Sequence, residues 1–182
     1  YQRLLTFECT GGGFTWFGDP NPANMILTGM GVMEFGDIAA TMEIDETLIP
    51  RTAAFLRTHQ AADGSWHEDQ GSEFATIRYD DLITTCFIGW ALAGAGEDAG
   101  TAFDYIQSKL TDQASTYALA MCANALATGA SSGSFTRQML DELASRAKED
   151  GDVVYWEAGT SQGGGEAEMD YYYGGGDGTN LE

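Results

Sequence analysis

Segments that are apolar all the way round alternate along this chain with segments apolar on one side only, and few architectures accommodate that order. From about Pro22 to Phe35 the run carries Met25, Ile26, Leu27, Met30, Val32, Met33 and Phe35. Asp81 to Gly94 carries Leu82, Ile83, Cys86, Phe87, Ile88, Trp90 and Leu92, and Thr116 to Ala127 carries Tyr117, Leu119, Met121, Cys122 and Leu126. A helix without a polar face has to be covered on most sides. Between these runs lie single stripes: Leu48, Ile49, Ala53, Phe55 and Leu56 within Glu46 to His59, then Phe103, Ile106 and Leu110 within Thr101 to Leu110. Phe135, Met139, Leu140, Leu143 and Ala147 repeat the spacing once more, and each stripe predicts a helix with one face in water. Asp45 and Ser115 are placed to cap helix starts, and Gly36, Gly94 and Gly129 to stop helices. The order inner, outer, inner, outer predicts an all-α fold: a partial α/α toroid of the (α/α)6 kind. An α-solenoid, which also stacks helix pairs, is the competing arrangement.

The loops repeat as well. Gly11-Gly12-Gly13-Phe14-Thr15-Trp16-Phe17-Gly18 and Asp63-Gly64-Ser65-Trp66 are glycine–aromatic turns, and Gly151-Asp152-Val153-Val154-Tyr155-Trp156 is a looser version. Glycine permits a tight reversal, and the large ring is expected to plug the seam between neighbouring hairpins. A closed ring of six hairpins needs on the order of 250–300 residues by this period, more than the 182 present. The chain therefore reads as one domain, 1–182, that is a fragment of such a ring. Residues 159–178 are glycine-rich around Tyr171-Tyr172-Tyr173 and predict a mobile loop or short hairpin.

Charge and cysteine content narrow the partners. Acidic residues outnumber basic ones 28 to 8, for a net charge of −20. Such a surface repels phosphate backbones and anionic lipid, which argues against nucleic-acid and membrane-surface binding. With Lys109 and Lys148 as its lysines, the surface also suits a salty medium. No apolar run has the length of a membrane span, and Tyr1-Gln2-Arg3-Leu4-Leu5 has no signal-peptide character. Cys9, Cys86 and Cys122 are too widely spaced for a disulfide framework or a zinc site. Cys86 and Cys122 lie in apolar helical runs, where a thiol serves as a small buried hydrophobe; a bridge between them is the other possibility.

Several segments together carry a family resemblance. They are Tyr1-Gln2-Arg3-Leu4-Leu5-Thr6-Phe7, the glycine–aromatic turn at 12–18, Leu27-Thr28, Ile49-Pro50-Arg51-Thr52-Ala53-Ala54-Phe55-Leu56 and Gln60-Ala61-Ala62-Asp63-Gly64-Ser65-Trp66. In this order and spacing they resemble the thioester-containing domain of α2-macroglobulin and complement proteins, notably bacterial ones. The likeness is good from 1 to about 70, rests on helix pattern from Asp81 to Ala127, and fades beyond Gly129. It implies an (α/α)6 toroid in a large extracellular or cell-envelope (periplasmic) protein. There a Cys and a Gln of a Gly-Cys-Gly-Glu-Gln motif form an internal thioester that acylates a trapped protease or a surface nucleophile. That motif is absent from these residues, and none of the three cysteines has its context. The position of the family's assisting His falls on Glu73 or Phe74, so no catalytic residue carries over. The implied role is a scaffold, an endopeptidase-inhibitor part and not an enzyme. The implied partners are the other domains of the parent chain and a trapped protease.

The remaining chemical candidates read as structural. Gln60 to Trp66 is also similar to the repeat of squalene and hopene cyclases, which share the toroid, and a fragment of such an enzyme is the alternative reading. Its acid would have to be Asp80-Asp81, yet acids in a first turn ordinarily complement the helix dipole. A helical repeat module without chemistry is the other alternative. His59 ends a helix and His67 sits in a polar turn, neither in a metalloprotease pattern. Glu68, Asp69 and Glu73 fit no EF-hand spacing, and Ser65 and Ser72 lack a nucleophile-elbow context. Gly11-Gly12-Gly13 is not followed by the lysine of a phosphate-binding loop. The expectation is no catalytic, cofactor or metal residue.

Overall fold

A computed structural model describes residues 1–18, 22–67, 80–129 and 133–157, together with the backbone pairing of 180–181. The described residues are mostly helical: α1 Gln2–Leu5, α2 Met25–Ala39, α3 Leu48–Thr58, α4 Asp81–Gly94, α5 Ala102–Lys109, α6 Thr116–Gly129 and α7 Ser134–Ser145. The sequence reading placed each of α2 to α7, and α4 has the predicted bounds. Ser115 caps α6 by accepting the Ala118 N–H (3.1 Å), and Asp80 caps α4 through the Ile83 N–H (2.7 Å). Asp45 instead accepts from the Thr47 N–H (2.9 Å), bracing the turn before α3. Gly36 does not stop α2, whose ladder runs on until the Ala40 N–H reaches the Gly36 carbonyl.

The packing separates two layers. α4 lies between α2 and α6; α3 leans on α2, α5 on α4 and α6, and α7 on α6. Burial follows: α4 buries eight residues and α6 seven, whereas α5 and α7 bury two each. One apolar cluster joins Val32, Leu56, Trp66, Ile88 and Leu92; a second joins Ile106, Leu119, Leu126 and Met139. The third is small and aromatic, with Phe14 against Phe35 (5.3 Å between ring centres) beside Leu48. The inner helix α2 departs from expectation. It buries Met25, Thr28, Gly29, Val32 and Phe35 on one side, while Met30 on its other flank is 44% exposed. An apolar face has been left open there.

Two further expectations are corrected. Cys86 and Cys122 are not separate buried thiols but a disulfide that ties α4 to α6. The closest inner helices bring the two side chains face to face, a proximity no spacing rule reveals. The segment after α7 is no glycine–aromatic turn. The helix ends at Ser145, short of Ala147, and β1 Lys148–Asp150 pairs antiparallel with β2 Val153–Glu157 around Gly151 (φ 61°). Asn180–Leu181 forms β3, with Leu181 opposite Trp156. The run Val153-Val154-Tyr155-Trp156 is β-branched and aromatic, which favours a strand over a corner.

Candidate functional site

The open flank of α2 is shaped by the glycine turn before it. Gly11 and Gly12 take positive φ (104° and 97°), and a Cβ on Gly13 would sit 2.5 Å from that of Ala23. The reversal is therefore closed to other residues. Glu8 pairs with Phe14, and the Phe14 N–H donates to Thr28 Oγ1 (2.9 Å). The Asn24 N–H returns to the Phe14 carbonyl (2.8 Å) while Asn24 Oδ1 caps α2. This stitching turns Phe14 inward and Trp16 outward, so the ring expected to plug the seam is 54% exposed and Phe17 is 63% exposed. Between α1, the turn and α2 opens a groove of about 320 Å³, lined chiefly by Leu4, Phe7, Trp16, Leu27, Met30 and Glu34.

Arg51 of α3 ties the segment before the glycine turn to the turn before α3. Its Nε and Nη2 donate to the two Glu8 carboxylate oxygens (2.6 and 3.0 Å), and Nη1 donates to Asp45 Oδ2 (2.6 Å) and Thr47 Oγ1 (2.9 Å). Paired charges and fork geometry make such contacts specific. Arg51 together with the Thr47 N–H and hydroxyl pulls the Asp45 carboxyl down to about 2, and the Glu8 and Asp45 carboxylates raise the guanidinium's own pKa.

The corner from Gln60 to Trp66 is held by a set of hydrogen bonds and close backbone contacts. Gln60 Nε2 donates to the carbonyls of Gly64 and Ala99 (3.0 Å each). Asp63 Oδ1 accepts from the Ser65 N–H and hydroxyl, which hold its carboxyl below the usual range. Gly64 (φ 94°) lies so close to the Thr101 carbonyl that a Cβ would come within 2.5 Å of its oxygen. Trp66 is fully buried, its Nε1–H on the Leu56 carbonyl (2.7 Å). Trp156 repeats the device on the Leu143 carbonyl (2.7 Å).

One constellation escaped the sequence reading. His67 Nδ1 lies 2.9 Å from Asp81 Oδ1, and Nε2 lies 3.5 Å from Ser65 Oγ. The order is that of a hydrolytic triad, but Ser65 is fully buried and its hydroxyl donates to Asp63 (2.7 Å). The three residues join the corner to the start of α4. His59 closes α3 with its Nδ1–H on the Phe55 carbonyl (2.9 Å) and its ring on the Phe55 ring (4.2 Å). Asp80 is thus occupied as a helix cap, and Asp81 by its contact with His67. Glu68, Asp69, Ser72, Glu73, Phe74 and the 159–178 segment lie outside the described residues. Among the described residues, no group of three or more His, Cys, Asp or Glu side chains is disposed to hold a metal ion. None of the described helices is long and apolar enough to cross a membrane.

The family model described as A-macroglobulin TED domain matches residues 1–173 of the chain. No curated protein matches the chain.

Proposed function

Because the chain belongs to the A-macroglobulin TED (thioester-containing) domain family, we propose that it serves as scaffold in an α2-macroglobulin-like protease trap, docking a neighbouring domain of the same parent chain through the groove beside α2. The observation that carries this reading is the open flank. Leu27 and Met30 belong to a helix whose sequence demands cover, and Trp16 stands exposed beside them. Contiguous exposed apolar surface on a soluble domain marks a docking face. The parent chain completes the (α/α)6 ring, and the covered groove keeps water and stray nucleophiles from the family's acylating group until a protease cuts the trap.

On this reading the chain's own residues position and shield; they move no proton and form no bond to the target. The Cys86–Cys122 disulfide supports an extracellular or cell-envelope (periplasmic) setting, since structural disulfides persist in oxidising compartments. The test uses the full parent protein. Methylamine attacks a thioester carbonyl, forms an amide and releases the thiol, so thiol release that disappears when the thioester Cys is replaced by Ala establishes the chemistry. Replacing Trp16 by Ser and Met30 by Gln, both of which line the groove, is expected to hasten that release before any proteolytic cut. Unchanged release would remove the groove from the mechanism.

A further inference from the structure

The described residues use most of their cations internally. Arg51 holds Glu8 and Asp45, Arg57 holds Glu97 and the Asp98 carbonyl, and Lys148 holds Glu157. Arg146, at the end of α7, holds Glu142 and the carbonyls of Asp112 and Ala114. Exposed carboxylates elsewhere, among them Asp37, Glu43, Glu46, Asp104 and Asp141, make no ion pair with any described residue. A chain of net charge −20 therefore folds with its attractive pairs at a few places and its repulsion spread over the surface. Compaction brings those like charges together and works against the folded state.

The two kinds of interaction respond differently to salt. The principal ties are part-buried, with side-chain exposures of 33% and 20% for Arg51 and Glu8, and 22% and 33% for Arg146 and Glu142. The repelling carboxylates stand in water. The screening length falls from about 10 Å at 0.1 M to about 3 Å at 1 M, and exposed charges feel this far more than part-buried pairs. Salt thus removes repulsion faster than it weakens the ties. A local sign of the same field is Tyr105, whose hydroxyl is pushed up by burial and then by Asp81, Asp63 and Asp80.

We propose that this chain is adapted to concentrated monovalent salt, with a diffuse atmosphere of hydrated cations as its stabilising ligand and full stability reached at ionic strengths on the order of 1 M. This goes beyond the shielding role and is independent of it. The test is thermal unfolding of the chain in KCl from about 0.05 to 2 M, with EDTA present, beside a variant carrying Asp37→Asn, Glu43→Gln, Glu46→Gln and Asp141→Asn. The native chain is expected to gain roughly 10 °C or more across that range, and the variant to melt higher in dilute buffer with a shallower climb. Equal melting temperatures in dilute and molar salt overturn the proposal, as do parallel climbs for the two proteins or a variant that fails to fold in dilute buffer. Full stabilisation by micromolar calcium in dilute buffer, reversed by EDTA, also overturns it, because that behaviour belongs to a discrete site.

Discussion

Removing the bridge between α4 and α6 tests the core most directly. Cys86 and Cys122 are separated by 36 residues along the chain, and both are fully buried. Closing a loop of that length withdraws roughly 13 cal/mol/K from the unfolded chain, which at 25 °C comes to about 4 kcal/mol. Replacing both cysteines by Ala avoids burying an unpaired hydroxyl and adds only a small cavity. For a chain of this size a loss of about 4 kcal/mol lowers the melting temperature by roughly 8–16 °C. The assay is thermal unfolding of the native and double-Ala chains, each with and without reductant. Reductant is expected to depress the native melt and leave the variant unmoved. Thiol titration of the denatured, unreduced chain should find Cys9 alone reactive. A double-Ala chain within about 1 kcal/mol of native, or three titrating thiols, would refute the reasoning.

Trp66→Phe takes the indole donor from the Leu56 carbonyl, which keeps the His59 N–H (3.0 Å), and is expected to cost about 0.5–1.5 kcal/mol in denaturant titration. Trp16→Ser, at an exposed position, should stay within about 0.5 kcal/mol in the isolated chain. Gly36→Ala meets nothing within 4 Å and should stabilise α2 by about 0.5–1 kcal/mol, whereas Gly64→Ala, at φ 94° against the Thr101 carbonyl, should destabilise by more than that; equal melts for these two variants would contradict the corner geometry. Asp45 is held at about 2, below its ordinary 3.8, so its contribution is present above the ordinary value and fades as pH falls through the folded one. Asp45→Asn should flatten the stability profile across that acid window, and an unchanged profile there would count against the Arg51 clasp.

The helices were readable because burial imposes its period on sequence: Asp81 to Gly94 emerged with its bounds intact because Asp80 supplies a cap. The reversal that stops the helix nevertheless falls on Gly96 (φ 75°), whose N–H reaches the Ala93 carbonyl, and not on Gly94. What escaped were relations across the chain. A thiol on an apolar helix looks alike whether it faces a leucine or another thiol, so Cys86 and Cys122 could not be joined in advance. Met30 carried the pattern of a buried residue, and only coordinates reveal that its flank is uncovered. Val153 to Trp156 was misread because the glycine before it suggested a corner, although its β-branched residues favoured a strand. Ser65, His67 and Asp81 converge only after the corner folds back on the start of α4. Nothing in their individual spacing announces the meeting.

The indole latches set a length standard for the chain. Leu56 and Leu143 each stand two residues before the end of their helix, and each carbonyl accepts from a tryptophan beyond it. The path from Leu56 to Trp66 therefore acts as a ruler: one residue more or fewer takes the indole off its carbonyl and moves the next inner helix out of register. Insertions accumulated over evolution should fall outside such rulers, after Trp66 and not before it. The places where relatives differ in length then mark the stretches that may lengthen without disturbing the stacking of α2, α4 and α6.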